Sequence, residues 1–331
     1  MTSHATPPET PSPRLLGDLG GTNLRLAWQA GEGAPLEDVL NLSCAEHTGL
    51  AQAIRAYLQR SGRTAPAACA IGVAAPVIGD RVQLTNRLDW SFSIAELQRE
   101  LGFTRLKIIN DFTALALSLP HLRPEELRAV GGGRAQADAP KALIGPGTGL
   151  GVSVLVPCGD GRWTALQTEG GHVTLAATLP KERAVIDRLA LRYGHVSAER
   201  VVSGAGLQDI HQALRELAGA PPLAVPLSAA DITERALSQD ARCLEALQLF
   251  FAFLGSVAGN LALTVGARGG VYIGGGIVPR LGDLFERSPF RERFEAKGRF
   301  RGYLADIATF VIDARTPPAL IGAAQALNTA A

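Results

Sequence analysis

Residues 15–28, LLGDLGGTNLRLAW, run from one apolar stretch through Gly-Asp-Leu-Gly-Gly-Thr-Asn into another. The apolar flanks read as two strands and the glycines as the tight turn between them. Three phosphate-binding designs compete for such a turn. The P-loop requires Gly-x4-Gly-Lys-Ser/Thr, and no such string occurs. The Rossmann fingerprint requires Gly-x-Gly-x-x-Gly leading from strand to helix, whereas the residues after Gly17–Thr22 read as a strand. The third design is a β-hairpin whose turn presents backbone N–H groups to a phosphate. Gly20 and Gly21 allow close approach and positive φ, and Thr22 adds a hydroxyl. Asp18, at the strand end, suits Mg²⁺ held through water, because Mg²⁺ keeps much of its hydration shell and uses few carboxylates. A purely structural hairpin is the competing reading of this loop taken alone.

The design returns at residues 141–156, KALIGPGTGLGVSVLV, where Gly147, Thr148 and Gly149 form the turn. Two hairpins of one design point to two halves of related construction. A third glycine string, Gly274-Gly275-Gly276, follows VYI and leaves room for a flat base against the backbone. Elsewhere, strands are expected in CAIGVAAPV, RVQLTN, LKIIN and IATFVIDA. Helices are expected around 49–60, over FTALALSL as far as Pro120, through much of the chain from about Lys181, and in PALIGAAQAL. SFSIAELQRELG predicts a helix with Ser93 as N-cap, Glu96 closing a capping box and Gly102 just past the end. GGGRAQADAP reads as a surface loop. The alternation of elements is that of an α/β protein.

At 331 residues the chain is long for one core and comfortable for two. Hydrophobic residues make up 47% and charged residues 19%, the balance of a globular protein. The net charge of +1 supplies no electrostatic pull toward nucleic acid or an acidic membrane, so neither is expected as a partner. Cys44, Cys69, Cys158 and Cys243 are scattered without a Cys-x-x-Cys pair, which fits a reducing cytoplasm. Residues 1–13, rich in proline, lack the apolar core of a signal peptide and are expected to form a disordered tail. LFFAFLGSVAGNLALTV, 249–265, is short for a membrane span, and Ser256, Asn260 and Thr264 stripe one face. It reads as a buried helix.

The strings DLGGTN (18–23), GTGLG (147–151) and GGGIVPR (274–280) resemble the two phosphate motifs and the adenosine motif of the hexokinase, actin and heat-shock chaperone ATPase superfamily. Within it, IINDFTA, EGGHV, GHVSAERV and GGIVPR resemble the signatures of bacterial glucokinases of the non-ROK type, from about Leu15 to the C-terminal helix. ROK sugar kinases carry a cysteine-dense zinc motif, and here Cys158 stands alone. The resemblance implies an α/β, two-domain actin/hexokinase-like (ribonuclease H-like) ATPase fold with an interdomain cleft. It implies a smaller domain of residues 14–122 plus 310–331, a larger one of 123–309, and homodimerisation. ATP would contact Gly17, Asp18, Leu19, Gly20, Gly21, Thr22, Asn23, Gly147, Thr148, Gly149, Gly275 and Gly276, with Mg²⁺ on Asp18 through water.

Asn110-Asp111 ends an apolar strand and opens a helix. From the residues alone it reads as a helix cap, or as a pair suited to vicinal sugar hydroxyls. The resemblance implies that Asp111 is the base near a 6-hydroxyl, with Asn110 on a neighbouring hydroxyl. Glu169 and His172 flank two glycines that disfavour a helix, so a loop presenting both side chains is expected. Glu199 reads alone as a solvated acid on a helix, and His195 as a surface or capping residue. The resemblance sets Glu169, His172 and Glu199 around the remaining hydroxyls, with Asn86 lining the same site. The activity it implies is transfer of the ATP γ-phosphate to the 6-hydroxyl of D-glucose. The alternatives are a hexose kinase of other specificity or a non-catalytic sugar- and ATP-binding regulator on the same scaffold. An actin-like or chaperone-like ATPase would leave Asn110–Asp111 and Glu169–His172 unexplained.

Overall fold

The computed structural model describes residues 12–84, 87–221, 223–314 and 317–328. Asn86 and residues 1–11 of the expected tail lie outside the described residues. The chain divides into two compact units, Met1–Leu122 with Thr316–Ala331, and Arg123–Arg315.

In the first unit, β1 (Arg14–Leu19) pairs antiparallel with β2 (Asn23–Gln29), which pairs with β3 (Leu36–Ser43). After α1 (Leu50–Ser61), β4 (Ala68–Val73) lies parallel to β1. A small hairpin of β5 (Arg81–Leu84) and β6 (Arg87–Ser93) leads into α2 (Ile94–Leu101). Then β7 (Arg105–Asn110) joins parallel to β4, giving the order β3-β2-β1-β4-β7, and α3 (Asp111–Ser118) follows at once. The period of two decides the faces. Leu15 and Leu19 are fully buried in one core with Ile54, Tyr57 and Ile71, while Leu16 belongs to another. Ser93 caps α2 by accepting the Glu96 N–H, and Gly102 ends it in the left-handed conformation. The expected capping box is completed differently: Asp80 accepts the Ala95 N–H and the Ser93 hydroxyl.

In the second unit, β8 (Leu127–Ala129) precedes the hairpin of β9 (Lys141–Pro146) and β10 (Leu150–Pro157), and β11 (Trp163–Gln167) extends it. Helices α4 (Pro180–Tyr193), α5 (Gly204–Leu217), α6 (Ala229–Leu237) and α7 (Ala241–Val265) follow. Next come β12 (Val271–Ile273), the short α8 (Gly282–Glu286), α9 (Phe290–Glu295) and α10 (Arg301–Ala305), and β13 (Thr309–Ile312). The sheet order is β11-β10-β9-β12-β13-β8, with β9, β12 and β13 mutually parallel. Its first five strands repeat the order and senses of the first sheet, so the two hairpins head two copies of one topology.

By length and composition α7 could cross a bilayer, yet 72% of its most apolar window is buried within the protein. Phe250, Phe251 and Phe253 are fully covered there, and the polar stripe is partly used: Arg293 donates to the Ser256 hydroxyl.

The last described helix, α11 (Pro318–Asn328), returns to the first unit. Leu320, Ala323, Ala324 and Leu327 cover Leu16, Ala27 and Ala70 on the sheet face opposite Leu15 and Leu19. The return was expected from about residue 310. It comes later, after residue 315, because β13 is locked between β12 and β8 by ladders on both sides.

Candidate active site

In each unit the glycine turn projects from the carboxyl end of the parallel strands, where open α/β sheets place their ligands. In the first unit the β1–β2 ladder closes at Leu19 opposite Leu24, leaving Gly20–Asn23 as the tip. The Gly20 N–H donates to the Asn23 carbonyl at 2.9 Å, and the Cys44 N–H to the Thr22 carbonyl at 2.8 Å. The tip borders a hollow of about 280 Å³ lined by Asp18, Gly20, Gly21, Thr22, Asn23, Arg25 and Asn41. Two residues of the expected nucleotide set face away from it. A Cβ on Gly17 would stand 2.9 Å from Ile71 and 3.0 Å from Leu26, and the Leu19 side chain is fully buried. Side chains at these odd positions of β1 pack into the core that holds Leu15, so Gly17 and Leu19 have only backbone to offer a nucleotide.

Arg25 and Asn41 went unread in the sequence. The antiparallel register sets Arg25 opposite Asp18, and its guanidinium lies 3.5 Å from the Asp18 carboxylate. A hairpin counted outward from its turn carries that signal. Burial pushes the Asp18 carboxyl up, and Arg25 opposes the shift.

Asn110 and Asp111 stand at the end of β7, two strands from β1. The parallel register puts Asp18 beside Gly72, and Val73 beside Asn110. A Cβ on Gly72 would be 3.5 Å from the Asp111 Cα and 3.0 Å from the Ala114 Cβ, so glycine there lets the start of α3 approach the sheet. Asn110 is the N-cap: its Oδ1 accepts from the N–H groups of Phe112 and Thr113 at 3.0 and 3.2 Å. Its Nδ2 donates to the Ala75 carbonyl at 3.3 Å and to Asp111 Oδ1 at 3.0 Å. Phe112 N–H also donates to Asp111 Oδ1, at 2.9 Å. The cap reading and the site reading of this pair are therefore compatible: Asn110 caps the helix and thereby orients the neighbouring acid. Burial pushes Asp111 up to about 6, with Asp18 adding to the rise and the Phe112 N–H opposing it.

In the second unit the turn uses its own Gly147 N–H on the Gly149 carbonyl at 2.8 Å. The Leu150 N–H donates to Glu199 Oε2 at 2.8 Å. Among the described residues, Thr148 and Gly149 keep N–H groups to offer a ligand. The third glycine string packs against this hairpin. Gly274 N–H donates to the Ile144 carbonyl, and Gly275 has φ +78 with no room for a Cβ, which would fall 2.3 Å from the Pro146 carbonyl. Gly276 faces open space. The N-terminus of α5 also meets the turn, Gly204 N–H donating to the Gly147 carbonyl at 2.9 Å, a neighbour not anticipated from the sequence.

Glu169 and His172 lie on a single 3-10 turn, as loop residues, with Oε2 and Nε2 4.0 Å apart and both side chains more than half exposed. Gly171 gives its carbonyl to the Glu199 N–H at 2.8 Å. Glu199 sits in a turn and not on a helix. The second unit thus gathers Gly147–Gly149, Gly275, Glu169, His172 and Glu199 around one hairpin. His195 pairs with the Thr174 hydroxyl at 3.0 Å.

Two sheets of one topology, each with a glycine turn at its strand ends and one with a half-buried acid at a neighbouring strand end, define the actin/hexokinase-like ATPase fold. The crystal structure of a glucokinase from an Antarctic psychrotroph superposes with a TM-score of 0.86 at 34% identity, covering 96% of this chain and 99% of that one. The glucokinase of Balamuthia mandrillaris, solved in complex with glucose, shares the fold at 21% identity and a TM-score of 0.79, over 98% and 96% of the two chains. The sequence model of the glucokinase family matches residues 15–330. The glucokinase of Aromatoleum aromaticum is 58% identical over 320 residues, 96% of this chain and 95% of its own. The chain belongs to the glucokinase family.

Proposed function

We propose that the chain transfers the γ-phosphoryl group of ATP to the 6-hydroxyl of D-glucose, with Asp111 as the base. It is an ATP-dependent hexose kinase, and its family is that of glucokinase. The observation that carries the residue assignment is a carboxyl held at the end of β7, with a pKa of about 6, beside the Asp18 turn. Phosphoryl transfer asks the protein for positioning, charge neutralisation and a carboxylate at the attacking oxygen. A base works best when its pKa lies near the working pH: ionised before the step, yet able to hold the proton as the oxygen attacks. Asp111 Oδ1 is held by two N–H donors, which fixes the carboxylate plane and leaves Oδ2 for the hydroxyl.

The tip Gly20–Asn23 and the Thr148–Gly149 turn are assigned to phosphate, and Gly275–Gly276 to the adenosine. The residues at the first tip fit a hydrated Mg²⁺: a carboxylate 26% exposed on a polar hollow, with Arg25 3.5 Å away on one side and the oxygen-bearing residues Thr22, Asn23 and Asn41 among the lining groups. Asp18 would hold the ion through water, and the ion would supply charge neutralisation for the phosphates. Asn110, Glu169, His172 and Glu199 are assigned to the sugar hydroxyls, together with Asn86. Placement among non-ROK members rests on the scatter of the four cysteines, with Cys44, Cys69 and Cys243 buried. A homodimer and a cytoplasmic location complete the reading, the dimer open to light scattering.

The test is an acceptor screen with ATP across glucose, mannose, fructose and N-acetylglucosamine. Glucose 6-phosphate as the leading product supports the reading. Preference for another sugar selects a different hexose kinase, and no turnover with any sugar selects the binding regulator.

A further inference from the structure

Glu199 holds two segments at once. Its carboxylate accepts from the Leu150 N–H in the second glycine turn, and its own N–H donates to the Gly171 carbonyl in the loop that carries Glu169 and His172. The fit around it is close. A Cβ on Gly149 would be 2.5 Å from Glu199 Oε2, and a Cβ on Gly171 would be 2.2 Å from the Leu150 carbonyl. The loop and the turn therefore meet backbone to backbone, with one carboxylate seated on the seam. An ionised carboxylate has about four acceptor positions on its two oxygens. Here Oε2 is placed on Leu150 and Oε1 remains for a ligand.

We propose that Glu199 is a positioning residue for the nucleotide turn as well as a sugar ligand, so that hexose and nucleotide reinforce each other's binding through one carboxylate. This rests on the glucokinase reading of the site. A sugar hydroxyl donating to Oε1 fixes the carboxylate plane. Oε2 then holds the Leu150 N–H, and with it the orientation of the Thr148 and Gly149 N–H groups two residues and one residue before. The converse follows by linkage: a phosphate that orders the turn holds Oε2, and the sugar meets an oriented acceptor.

Calorimetry of ADP binding, with and without saturating glucose, tests this on the full chain. In the wild type, glucose tightens ADP. Glu199→Ala weakens ADP binding in the absence of sugar by about tenfold, the equilibrium equivalent of one charge-assisted hydrogen bond, and abolishes the tightening by glucose. Glu199→Gln keeps an oxygen for Leu150, so sugar-free ADP binding stays within about twofold while glucose binding falls. Glu169→Ala lowers glucose affinity and leaves sugar-free ADP binding unchanged. Gly149→Ala reads the same seam from the other side: its Cβ displaces the carboxylate, so glucose affinity falls although Gly149 is no sugar ligand. That variant and Glu199→Gln carry the test if Glu199→Ala does not fold. Wild-type sugar-free ADP affinity in Glu199→Ala, or wild-type glucose affinity in Gly149→Ala, overturns the proposal. Failure of the wild type in the acceptor screen overturns the glucokinase reading separately.

Discussion

Replacing Asp111 with Asn is expected to remove activity and raise stability together. The amide keeps an oxygen for the Phe112 and Asn110 donors but cannot take a proton, so kcat falls on the order of 10²–10⁴. Stability moves the other way because the native pKa, about 6, stands above the ordinary value of 3.8. The folded state disfavours the charge. Below about 4 both states are protonated and there is no penalty. Between about 4 and 6 the unfolded chain sheds its proton first, so stability falls as pH rises, and above about 6 the penalty is complete. The rise of about two pKa units corresponds to about 3 kcal/mol, and partial exposure to solvent reduces this to about 1–3 kcal/mol. Asp111→Asn should recover that amount at pH 7.5, a gain of about 1–2 °C in Tm per kcal/mol for a chain of this length. Paired thermal melts of wild type and variant at pH 7.5 and pH 4 measure it. A variant less stable than wild type at pH 7.5, or a gain that persists undiminished at pH 4, refutes the burial argument. Near wild-type turnover refutes the base. In the wild type the same titration should give kcat/KM an acid limb with an apparent pKa near 6, belonging jointly to Asp111 and Asp18.

Asp18→Ala should shift the Mg²⁺ dependence of turnover to higher concentration while leaving glucose affinity, read by calorimetry, near normal. An unchanged Mg²⁺ titration would contradict the assignment. Mannose and galactose should have kcat/KM values below that of glucose, since each inverted hydroxyl leaves a site group unpaired at about 1–3 kcal/mol. Equal values for the three sugars would refute the pocket as described. Gly322→Ala places a Cβ 1.6 Å from the Ala114 carbonyl, so α11 must move off α3. The loss should exceed the about 1–3 kcal/mol of ordinary overpacking, and an unchanged Tm would contradict the packing.

The hairpins were legible because their signals are local. Glycine at a turn, apolar residues on alternate positions and an acid at the strand end all lie within a few residues of one another. The same holds for α2, whose cap Ser93 and terminator Gly102 are both where the sequence sets them. Strands β3 and β11 were not foreseen, and both are sheet edges. Leu36–Ser43 buries only Leu42 among its side chains, and Trp163–Gln167 buries none, so neither writes a hydrophobic period. Of the candidate site, the glycine strings and the Asn110–Asp111 junction could be read directly. The bond from Leu150 to Glu199 could not, because it joins residues remote in sequence through a fold that must exist first. Gly72 was equally hidden: its use is to make room for α3, and nothing in ACAIGV announces a neighbour on that face.

The placement of α11 bears on how the chain is made. Synthesis delivers β1, β2 and β4 early, yet the face bearing Leu16, Ala27 and Ala70 waits for a helix that emerges after the whole second unit. Until then the growing chain carries an uncovered apolar patch, and α3, with Asp111 at its head, lacks the helix it packs against. A product released before α11 would hold every residue assigned to the chemistry and still present a sticky surface to chaperones and proteases. Closure of that face is therefore a late event in the life of the chain, set by the order of its elements and separate from the assembly of the residues assigned to the chemistry.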